Sequence, residues 1–509
     1  MVTLAQLVRE LGGELHAAES CSQDLRDVQV DSRKVVAGDL FAALPGSSAD
    51  GARFVADALS RGAIAVLSPE RVEVSARVPN WVHGEARRVL GQAAAILHGR
   101  PAEQMFVIAV TGTNGKTTTA HLIGQLLAHC GRRPAVLGTA GNRLADGVLL
   151  GATHTTPDAP GLQALLARHR ELGGDSVALE ASSHALEQDR LAGLRVSVAA
   201  FTNLTRDHLD YHGDMQSYAR AKERLFDSLE QGSAAVVNGD DPAAERMAAR
   251  ARSRGARVFT FSTRARADLS ASGLEVDSRG TRFSIEGMGI ARTQVFLPLA
   301  GRFNVENALA ALACVLVSGA SPAHALSGLA LLTGAPGRLQ QVATGTRGFT
   351  VLVDYAHTED ALRKVLEVVR EGLVSEGRRR GDHGGRLICV FGCGGDRDAG
   401  KRAPMGRTAA SLADVVVATS DNPRSEDPLA ILADIERGFE GTEARVHVEP
   451  DRRAAIAFAL SLARRHDVVL IAGKGHETTQ TIRGVVLPFD DRAVAAELLT
   501  GGTWGGVQR

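Results

Sequence analysis

Short apolar runs alternate with helix-length segments along most of the chain from residue 105 onward. Apolar runs of this length are typical of strands that are buried on both faces of a parallel sheet. Strand and helix patterns that alternate in this way predict doubly wound α/β units, with helices on both faces of each sheet. The predicted strands form two series, FVIAV, PAVLGT, SVALEAS, VSVAAFTNL and AAVVNGD, then FTVLVDYAHT, RLICVFGCGG, DVVVATSDNP and DVVLIAGKGHE.

Other stretches depart from this alternation. Residues 267–297 alternate apolar and polar positions, which predicts a small antiparallel excursion. The first 100 residues mix helices with short strands, among them DVQVDSRKV, and a Gly/Pro break at 334–338 separates the two series. The polar stretch EGRRRGDHGG at 376–385 is expected to be a solvated loop. We therefore predict an α/β chain with three domains, at 1–100, 101–335 and 336–509.

Length and composition agree with a soluble protein of several domains. A chain of 509 residues exceeds what one hydrophobic core supports. The 58 basic and 58 acidic residues cancel, so no overall field favours nucleic acid or an anionic membrane. The five cysteines are scattered, which suits a reducing cytosol, and we expect Cys389 and Cys393 to pack in the core. No apolar run reaches the roughly 18 residues of a membrane span, and no signal peptide is recognised.

Lysine is rare in this chain. Only six of the 58 basic residues are lysine, so arginine supplies most of the solvated positive charge. A position that keeps lysine is a candidate for what arginine cannot provide, a compact ammonium or a neutral amine. The alternative is that the six simply escaped the bias, as we suppose for Lys34 and Lys364. The lysines inside motif-like stretches are candidates for function, namely Lys116, Lys222, Lys401 and Lys474.

The segment VIAVTGTNGKTTTA at 107–120 joins a buried strand to a helix through a turn that holds two glycines. Only two residues separate Gly112 from Gly115, whereas the common phosphate loop has four at this point. The glycines free the backbone to wrap a phosphate, Lys116 can reach its oxygens, and the Thr117 hydroxyl can face Mg²⁺. We predict a nucleoside triphosphate site, the alternative being an ordinary strand–helix turn.

Polar residues also follow the next predicted strands. Glu180 lies in ALEASSH and His208 in FTNLTRDHLDYHG, each where a strand ends. Because ligands bind at the carboxyl ends of such strands, this carboxylate and imidazole could hold a divalent ion beside the phosphates. Each alone is more typical of a capping or surface residue. Lys222, in YARAKERLF, is either a solvated helical lysine or a neutral amine that takes up CO₂ as a carbamate.

Together these stretches resemble the Mur ligases, the ATP-dependent amino-acid ligases of peptidoglycan synthesis. The resemblance covers nearly the whole chain, and an ordered set of this kind is highly specific. The stretches that carry it are DSRKVVAGDLFAAL, TGTNGKTT, HTTP, EASSHALEQDR, NLTRDHLDYHG, YARAKERLF, GRFNVENALAA, GAPGRLQ, DYAHT, GCGGDRDAGKR, DNPR and GKGHE. Among the activities of the family, the addition of meso-diaminopimelate to UDP-N-acetylmuramoyl-L-alanyl-D-glutamate is the one that the motifs imply.

The resemblance implies a fold, cofactors and partners. The implied fold is a central P-loop-type ATPase sheet, a Rossmann-like C-terminal domain for the amino acid and a smaller N-terminal α/β domain for the UDP substrate. ATP and Mg²⁺ are the implied cofactors. ATP would convert the γ-carboxyl of the D-glutamate into an acyl phosphate, which the amine of meso-diaminopimelate then attacks. A cytoplasmic monomer without nucleic-acid or membrane partners is expected.

The resemblance also implies a role for each matching residue. The implied ATP contacts are Gly112, Thr113, Asn114, Gly115, Lys116, Thr117, Thr118, Asn304, Asn307, Arg338, Asp354 and His357. The implied magnesium residues are Thr117, Glu180, His208 and a carbamylated Lys222, and the implied catalytic set is Lys116, Glu180, His208 and Lys222. The implied substrate contacts are Ser32 for uridine, then Thr155, Thr156, Ser182, Gln188 and Arg190 for the muramoyl dipeptide, and Arg397, Asp421, Asn422, Pro423, Arg424, Gly473 and Glu477 for diaminopimelate.

Alternative functions stay open at this point. A folylpolyglutamate synthase has a similar ATP loop but should lack the DNPR and DSR segments, and both are present. A lysine-adding ligase of the same family should lack arginine at position 424. A GTPase-like switch would need an Asn-Lys-x-Asp guanine motif, and the nearest stretch, TNLTRD, lacks the lysine.

Overall fold

Three large sheets organise the part of the chain that the computed structural model describes, with one sheet in each predicted range. The α/β class and the doubly wound arrangement are confirmed, whereas the domain boundaries stay predictions. No helix within the described residues is both long and apolar enough to cross a membrane. The described residues are 2–16, 21–46, 50–75, 77–151, 154–277, 280–381 and 384–501.

The first hundred residues form a small α/β layer. Its elements are β1 (Val2–Thr3), α1 (Leu4–Leu11), β2 (Glu14–His16), β3 (Asp24–Leu25), β4 (Val28–Gln29), β5 (Leu40–Ala42), α2 (Val55–Ser60), β6 (Ala65–Ser68), β7 (Asn80–Val82) and α3 (Ala86–Leu97). The sheet order is β2-β7-β6-β5-β4, and β2 alone runs antiparallel to its neighbour. The predicted strand DVQVDSRKV is shorter than expected, because Asp31 accepts the Arg33 amide and caps a 3₁₀ turn over Ser32–Lys34.

The central part contains an eleven-stranded sheet. Its elements are β8 (Phe106–Thr111), α4 (Lys116–His129), β9 (Pro134–Gly138), β10 (Gly141–Arg143), β11 (Leu149–Leu150), α5 (Ala159–Glu171), β12 (Ser176–Glu180), α6 (Ser183–Glu187), β13 (Val198–Phe201), α7 (Leu209–His212), α8 (Met215–Asp227), β14 (Ala234–Asn238), α9 (Ala244–Ser253), β15 (Arg257–Ser262), β16 (Leu269–Asp277), β17 (Gly280–Gly287), β18 (Ile290–Leu297), α10 (Arg302–Val317) and α11 (Pro322–Ser327).

The strand order of this sheet places the phosphate-type loop. The order is β11-β10-β9-β12-β8-β13-β14-β15-β16-β17-β18, and the strands between β9 and β15 are parallel. The antiparallel β16, β17 and β18 confirm the predicted excursion. Leu122 of α4 and Leu309 of α10 cover one face, while Leu162 of α5 and Leu225 of α8 cover the other. The chain leaves β8 on one side and returns to β13 on the other, so a ligand crevice is expected at the carboxyl end of β8.

The C-terminal part contains a second doubly wound sheet. Its elements are β19 (Gln340–Val342), β20 (Thr350–Asp354), α12 (Glu359–Arg380), β21 (Leu387–Phe391), α13 (Arg402–Leu412), β22 (Val415–Ala418), α14 (Pro428–Glu436), β23 (Arg445–Val448), α15 (Arg452–Leu462), β24 (Val468–Ala472), β25 (Thr479–Ile482), β26 (Val485–Pro488) and α16 (Asp491–Thr500). The sheet order is β19-β20-β24-β21-β22-β23, with only β19 antiparallel, and β25 and β26 form a separate hairpin.

The prediction of a solvated loop at 376–385 is wrong in its first half. Helix α12 continues through Arg380 and ends where Gly381 adopts a left-handed φ of 77°. Glutamate and arginine favour helix, whereas glycine is the usual residue of a left-handed C-cap, so the helix runs through the charged residues to the glycine. Residues 382–383 lie outside the described part of the chain. Cys389 and Cys393 are buried in the core, as predicted.

Candidate active site

The phosphate-type loop follows β8 and is shaped by two glycines. Gly112 has a φ of 148° and Gly115 a φ of 86°, values that residues with a side chain rarely adopt. A Cβ at Gly112 would overlap Thr202 Oγ1, and a Cβ at Gly115 would overlap Asn307 Oδ1. The Thr202 hydroxyl donates to Asn114 O at 2.6 Å, which ties the loop to the end of the neighbouring strand β13. Both positions therefore require glycine, for conformation and for space.

Two lysines converge on one carbonyl oxygen of this loop. Lys116 Nζ lies 2.8 Å from Gly112 O, and Lys222 Nζ lies 2.9 Å from the same atom. Lys222 is fully buried, with its Nζ 4.2 Å from the centroid of the Tyr218 ring. Burial holds the pKa of Lys222 well below its usual range, and the nearby charge of Lys116 acts in the same direction. Because the side chain is fully buried, the interpretation of Lys222 as a solvated helical lysine is wrong, whereas the alternative of a neutral amine that takes up CO₂ stays a prediction.

Glu180 ends β12 beside the loop, and its side chain is almost completely buried. Thr117 Oγ1 donates to Glu180 Oε2 at 2.8 Å, and the Thr139 amide donates to Oε1 at 2.8 Å. His208 stands at the start of α7 with a φ of 53° and lines the same cavity. Burial lowers the pKa of His208 to about 4, so its imidazole is neutral at pH 7 and keeps a lone pair for a ligand.

These groups fit a magnesium ion that arrives with a nucleotide. Within the described residues, no group of three or more His, Cys, Asp and Glu side chains forms a metal site. Magnesium in nucleotide sites takes only one or two carboxylates and fills its other positions with phosphate oxygens and water. The buried Glu180 carboxylate and the Thr117 hydroxyl match that requirement, with the neutral His208 ring next to them.

The C-terminal sheet supplies the opposite wall of this cavity. Arg338 Nη2 donates to Thr117 Oγ1 at 3.4 Å, and the Arg338 guanidinium lies 4.6 Å from the centroid of the Tyr355 ring. Lys401 Nζ donates to His357 O at 2.9 Å, and burial lowers the pKa of His357 to about 4. The predicted residues that line this cavity are Thr113, Asn114, Gly115, Lys116, Thr117, Thr155, Glu180, Ser182, His208, Lys222, Arg338 and His357.

A second cavity lies between the same loop and the C-terminal sheet. It contains the remaining residues predicted for the nucleotide except Gly112, and its lining includes Asn114, Gly115, Thr118, Asn304, Asn307, Arg338 and Asp354. The Asp354 carboxylate accepts the Leu339 and Ala356 amides, each at 2.7 Å, and burial raises its pKa. The structure thus brings the predicted nucleotide residues from 113 to 357 into two neighbouring cavities, and Gly112 shapes the loop without lining either of them.

The residues predicted for the muramoyl dipeptide form one hydrogen-bonded group next to Glu180. Thr156 Oγ1 donates to Glu180 O at 2.7 Å and accepts the Ser182 amide at 3.1 Å. Arg190 donates to Thr156 O at 2.9 Å and to Gln188 Oε1 at 2.7 Å. The Thr139 hydroxyl donates a hydrogen bond to Thr155 Oγ1 at 3.1 Å. Ser32, predicted for uridine, is buried in its 3₁₀ turn and lines neither of the two cavities.

The residues predicted for the amino acid lie at the carboxyl ends of β21, β22 and β24. Arg424 has a φ of 54°, and its Nη1 donates to Gly395 O at 2.6 Å. No hydrogen bond from Nε or Nη2 of Arg424 is found among the described residues, so part of its fork is available. Arg397 lies on the same side, because a Cβ added at Gly394 would contact both arginines. Asn422 Nδ2 donates to Glu477 Oε2 at 2.8 Å.

The two strand ends that carry Asp421 and Gly473 are close together. Gly473 has a φ of 116°, and a Cβ there would come within 2.5 Å of Asp421 Oδ2. This buried oxygen has no hydrogen-bond partner within the described residues. Pro423 follows Asn422 and is buried with it, so the loop enters the pocket as a rigid turn.

Sequence reasoning missed a buried ion pair beneath these loops. Arg452 donates through Nη2 to Asp491 Oδ2 at 2.7 Å, and both side chains are completely buried. The same guanidinium donates to Ser420 O at 3.2 Å and to Ala472 O at 2.9 Å, the residues just before Asp421 and Gly473. The segment DRRAAIAF gives no signal for this role, since arginine is common in the chain.

The order of matching family models agrees with the order of these parts. The model of the Mur ligase family, catalytic domain, matches residues 25–99, the Mur ligase middle domain matches 110–315, and the Mur ligase, glutamate ligase domain, matches 337–475. A relative from Syntrophomonas wolfei is 41% identical over 98% of this chain and 99% of its own length. This chain belongs to the Mur ligase family. The predicted family is confirmed.

Several similar Mur ligases carry the same name. The relative from Syntrophomonas wolfei is named UDP-N-acetylmuramoyl-L-alanyl-D-glutamate--2,6-diaminopimelate ligase. So is a relative from Chromobacterium violaceum, 43% identical over 94% of this chain and 95% of its own length. A solved structure of a ligase with this name is 36% identical, with a TM-score of 0.68 over 98% of this chain and 99% of that one. A folylpolyglutamate synthase from Mycobacterium tuberculosis, 20% identical with a TM-score of 0.63 over 81% of this chain and 94% of that one, shares the fold.

The geometry of the loop predicts the effect of Lys116→Ala. Lys116 is the lysine at the start of α4, next to the helix N-terminus where a phosphate would bind. Its bonds to Gly112 O and Thr113 O lie within one loop, so their loss should lower the free energy of unfolding by only about 1 kcal/mol. We expect loss of ATP-dependent turnover with a nearly unchanged melting temperature. Normal ATP turnover in a folded variant would contradict the phosphate role.

Proposed function

We propose that this Mur ligase adds meso-diaminopimelate to UDP-N-acetylmuramoyl-L-alanyl-D-glutamate, with cleavage of ATP to ADP and phosphate. The observation that carries the proposal is the arginine pair at the end of the C-terminal sheet, Arg397 and Arg424, on a chain whose phosphate loop faces that sheet. The names of relatives that are 41% and 43% identical support the same substrates. The product is the UDP-N-acetylmuramoyl tripeptide of peptidoglycan synthesis.

The proposed reaction needs alignment and charge stabilisation more than covalent help. An oxygen of the D-glutamate γ-carboxylate attacks the γ-phosphorus of ATP, and ADP leaves with the electron pair of the broken P–O bond. The amine of diaminopimelate then attacks the acyl phosphate, loses a proton and expels phosphate from a tetrahedral intermediate. Holding the three reactants in one cavity contributes much of the acceleration. The two walls of the cavity, from Lys116 and from Arg338, supply positive charge to the transferred phosphoryl group.

Magnesium would be held by Thr117, Glu180 and His208 in this proposal, and it would neutralise charge on the phosphates when bound. Lys222 is proposed to act as a carbamate. A neutral amine can add CO₂ with loss of a proton. The resulting carbamate on Nζ would carry a negative charge and offer carboxylate-like oxygens to magnesium. The support is that Lys222 is fully buried, is hydrogen-bonded to Gly112 O and forms no ion pair with an acidic residue of the described part of the chain.

The amino-acid preference follows from charge matching. Meso-diaminopimelate differs from L-lysine by one distal carboxylate, which a guanidinium binds through two parallel hydrogen bonds. Arg424 is anchored through Nη1 to Gly395 O, so its guanidinium lies against the loop that carries Arg397. Glu477 supplies a negative charge for the distal ammonium. A pocket built around a charged partner rejects the analogue that lacks it by roughly 10⁴-fold, because its donors stay unpaired.

The Lys222 proposal predicts which substitutions can be rescued. Lys222→Ala should be nearly inactive and should regain part of its activity when a short carboxylate such as acetate is added. Lys222→Arg should stay inactive with or without acetate, because a guanidinium does not form a carbamate. Steady-state ligation rates with and without acetate give the answer. Full activity of the arginine variant would return Lys222 to a simple structural role.

An amino-acid panel tests the proposed function itself. We expect ADP formation that depends on both the UDP-muramoyl dipeptide and meso-diaminopimelate, with kcat/KM for L-lysine lower by roughly 10⁴-fold. Arg424→Ala should collapse this preference by raising KM for meso-diaminopimelate. The matched control is Arg437→Ala, at an exposed arginine directly after α14, and it should keep the preference. A wild type that ligates both amino acids with similar efficiency would show that the pocket assignment is wrong and favour a lysine-adding ligase.

A further inference from the structure

Lys474 is a completely buried lysine in a chain that keeps only six lysines. It lies in GKGHE, between the proposed pocket residues Gly473 and Glu477, and has no place in the mechanism above. Lysine at this position is not explained by surface charge, because the side chain does not reach solvent. Its contacts show what it does instead.

The ammonium group of Lys474 uses its donors on three different groups. Nζ donates to Glu477 Oε2 at 2.9 Å, to Asn422 Oδ1 at 3.3 Å and to Thr479 O at 2.6 Å. An ammonium has three N–H donors, so this set satisfies the whole group. A compact point charge fits a site with acceptors in three directions, whereas the planar fork of arginine does not.

These bonds orient the side chain of Asn422. Its Oδ1 accepts from Lys474 and from the Thr481 amide at 3.0 Å, while its Nδ2 donates to Glu477 Oε2 at 2.8 Å. With its oxygen held by two donors, the amide has one favourable orientation. In the opposite orientation Nδ2 would face the donors of Lys474 and Thr481, and Oδ1 would face the Glu477 carboxylate. Without the Lys474 ammonium one of these unfavourable contacts disappears, and Glu477 loses its only ion pair among the described residues.

Lys474 also joins three chain segments. Asn422 belongs to the loop after β22, Glu477 to the loop after β24, and Thr479 begins β25. Arg424 is held by the same hairpin, because its amide donates to Thr481 O at 3.0 Å. Lys474 therefore helps to fix the position of Glu477, proposed to bind the ammonium, relative to Arg424, proposed to bind the carboxylate.

We propose that Lys474 is a positioning residue that sets the orientation of Asn422 and Glu477 toward the amino acid. The proposal rests on the proposed function, since it assumes that these two side chains bind diaminopimelate. Lys474 does not touch the reacting atoms. It determines KM for the amino acid through its neighbours, and it leaves the ATP and UDP-substrate sites unchanged.

Lys474→Met tests this role through separate KM values. We expect KM for meso-diaminopimelate to rise roughly tenfold or more, since buried acceptors lose their donor. KM for ATP and for the UDP-muramoyl dipeptide should stay within about twofold, because their proposed contacts lie in other loops. Unchanged KM for meso-diaminopimelate in a folded variant would overturn the proposal.

Arg386→Met is the matched control, because it should destabilise the C-terminal sheet without changing the positions of Asn422 and Glu477. Arg386 pairs with the buried Asp467 at 2.6 Å. Both residues lie just before the amino-terminal ends of the parallel strands β21 and β24, at the other end of the sheet from the pocket. The substitution should lower the melting temperature while leaving KM for meso-diaminopimelate unchanged. If Arg386→Met raises this KM as much as Lys474→Met does, the effect of Lys474 is a general loss of stability and the proposal fails.

A paired variant covers the case in which Lys474→Met does not fold. Lys474→Met/Glu477→Met removes both partners, which avoids leaving one unpaired charge in the interior. If Lys474 acts through its neighbours, the pair should raise KM for meso-diaminopimelate by no more than about threefold beyond Glu477→Met alone. A further tenfold rise would show an independent role and overturn the proposal. A wild type that shows no turnover with meso-diaminopimelate would instead refute the proposed function, and this proposal with it.

Discussion

The side-chain nitrogens of the fully buried Lys222 and the partly buried Lys116 share the carbonyl oxygen of Gly112, and the rest of the site is arranged around that contact. Two ammonium groups on one dipole in a buried cavity repel each other strongly, so the arrangement favours a state in which one nitrogen is neutral. Burial lowers the pKa of both lysines, and that of Lys222 falls well below its usual range, with the charge of Lys116 acting in the same direction. Gly112 has a φ of 148° and no space for a side chain, and its carbonyl oxygen accepts from Lys222 of α8.

The two lysines are then divided between two tasks. Lys116 stays with the loop and the N-terminus of α4, where a phosphate would bind. Lys222 reaches the same point from α8, where we propose that it takes up CO₂. Arg338, Tyr355 and His357 close the cavity from the C-terminal sheet, so the phosphate loop faces the sheet that carries the proposed amino-acid pocket. The carboxyl ends of the parallel strands in both sheets therefore face the same cavity. In open α/β sheets, ligands bind at these ends of the strands.

Much of this arrangement could be predicted from local patterns. The loop after β8 and the strand-end positions of Glu180 and His208 follow from apolar runs that end in polar residues. The residues of the amino-acid pocket were found only through family resemblance, since DNPR by itself is an ordinary turn. Lys474 and Asn422 are 52 residues apart, and no local pattern encodes their contact. Arg452 was hidden for a different reason, because a buried arginine looks like any other in an arginine-rich sequence. The end of α12 depended on Gly381, which outweighed the charge of the preceding residues.

The transfer of oxygen tests the central claim, which is that this cavity activates a carboxylate with ATP before the amine attacks. The measurement uses UDP-muramoyl dipeptide labelled with ¹⁸O in both oxygens of the D-glutamate γ-carboxyl, with ATP and meso-diaminopimelate. An acyl phosphate places one of these oxygens on the phosphorus, so mass spectrometry should find one ¹⁸O in each molecule of released phosphate and one in the new amide. Unlabelled phosphate formed together with the tripeptide product would contradict the account.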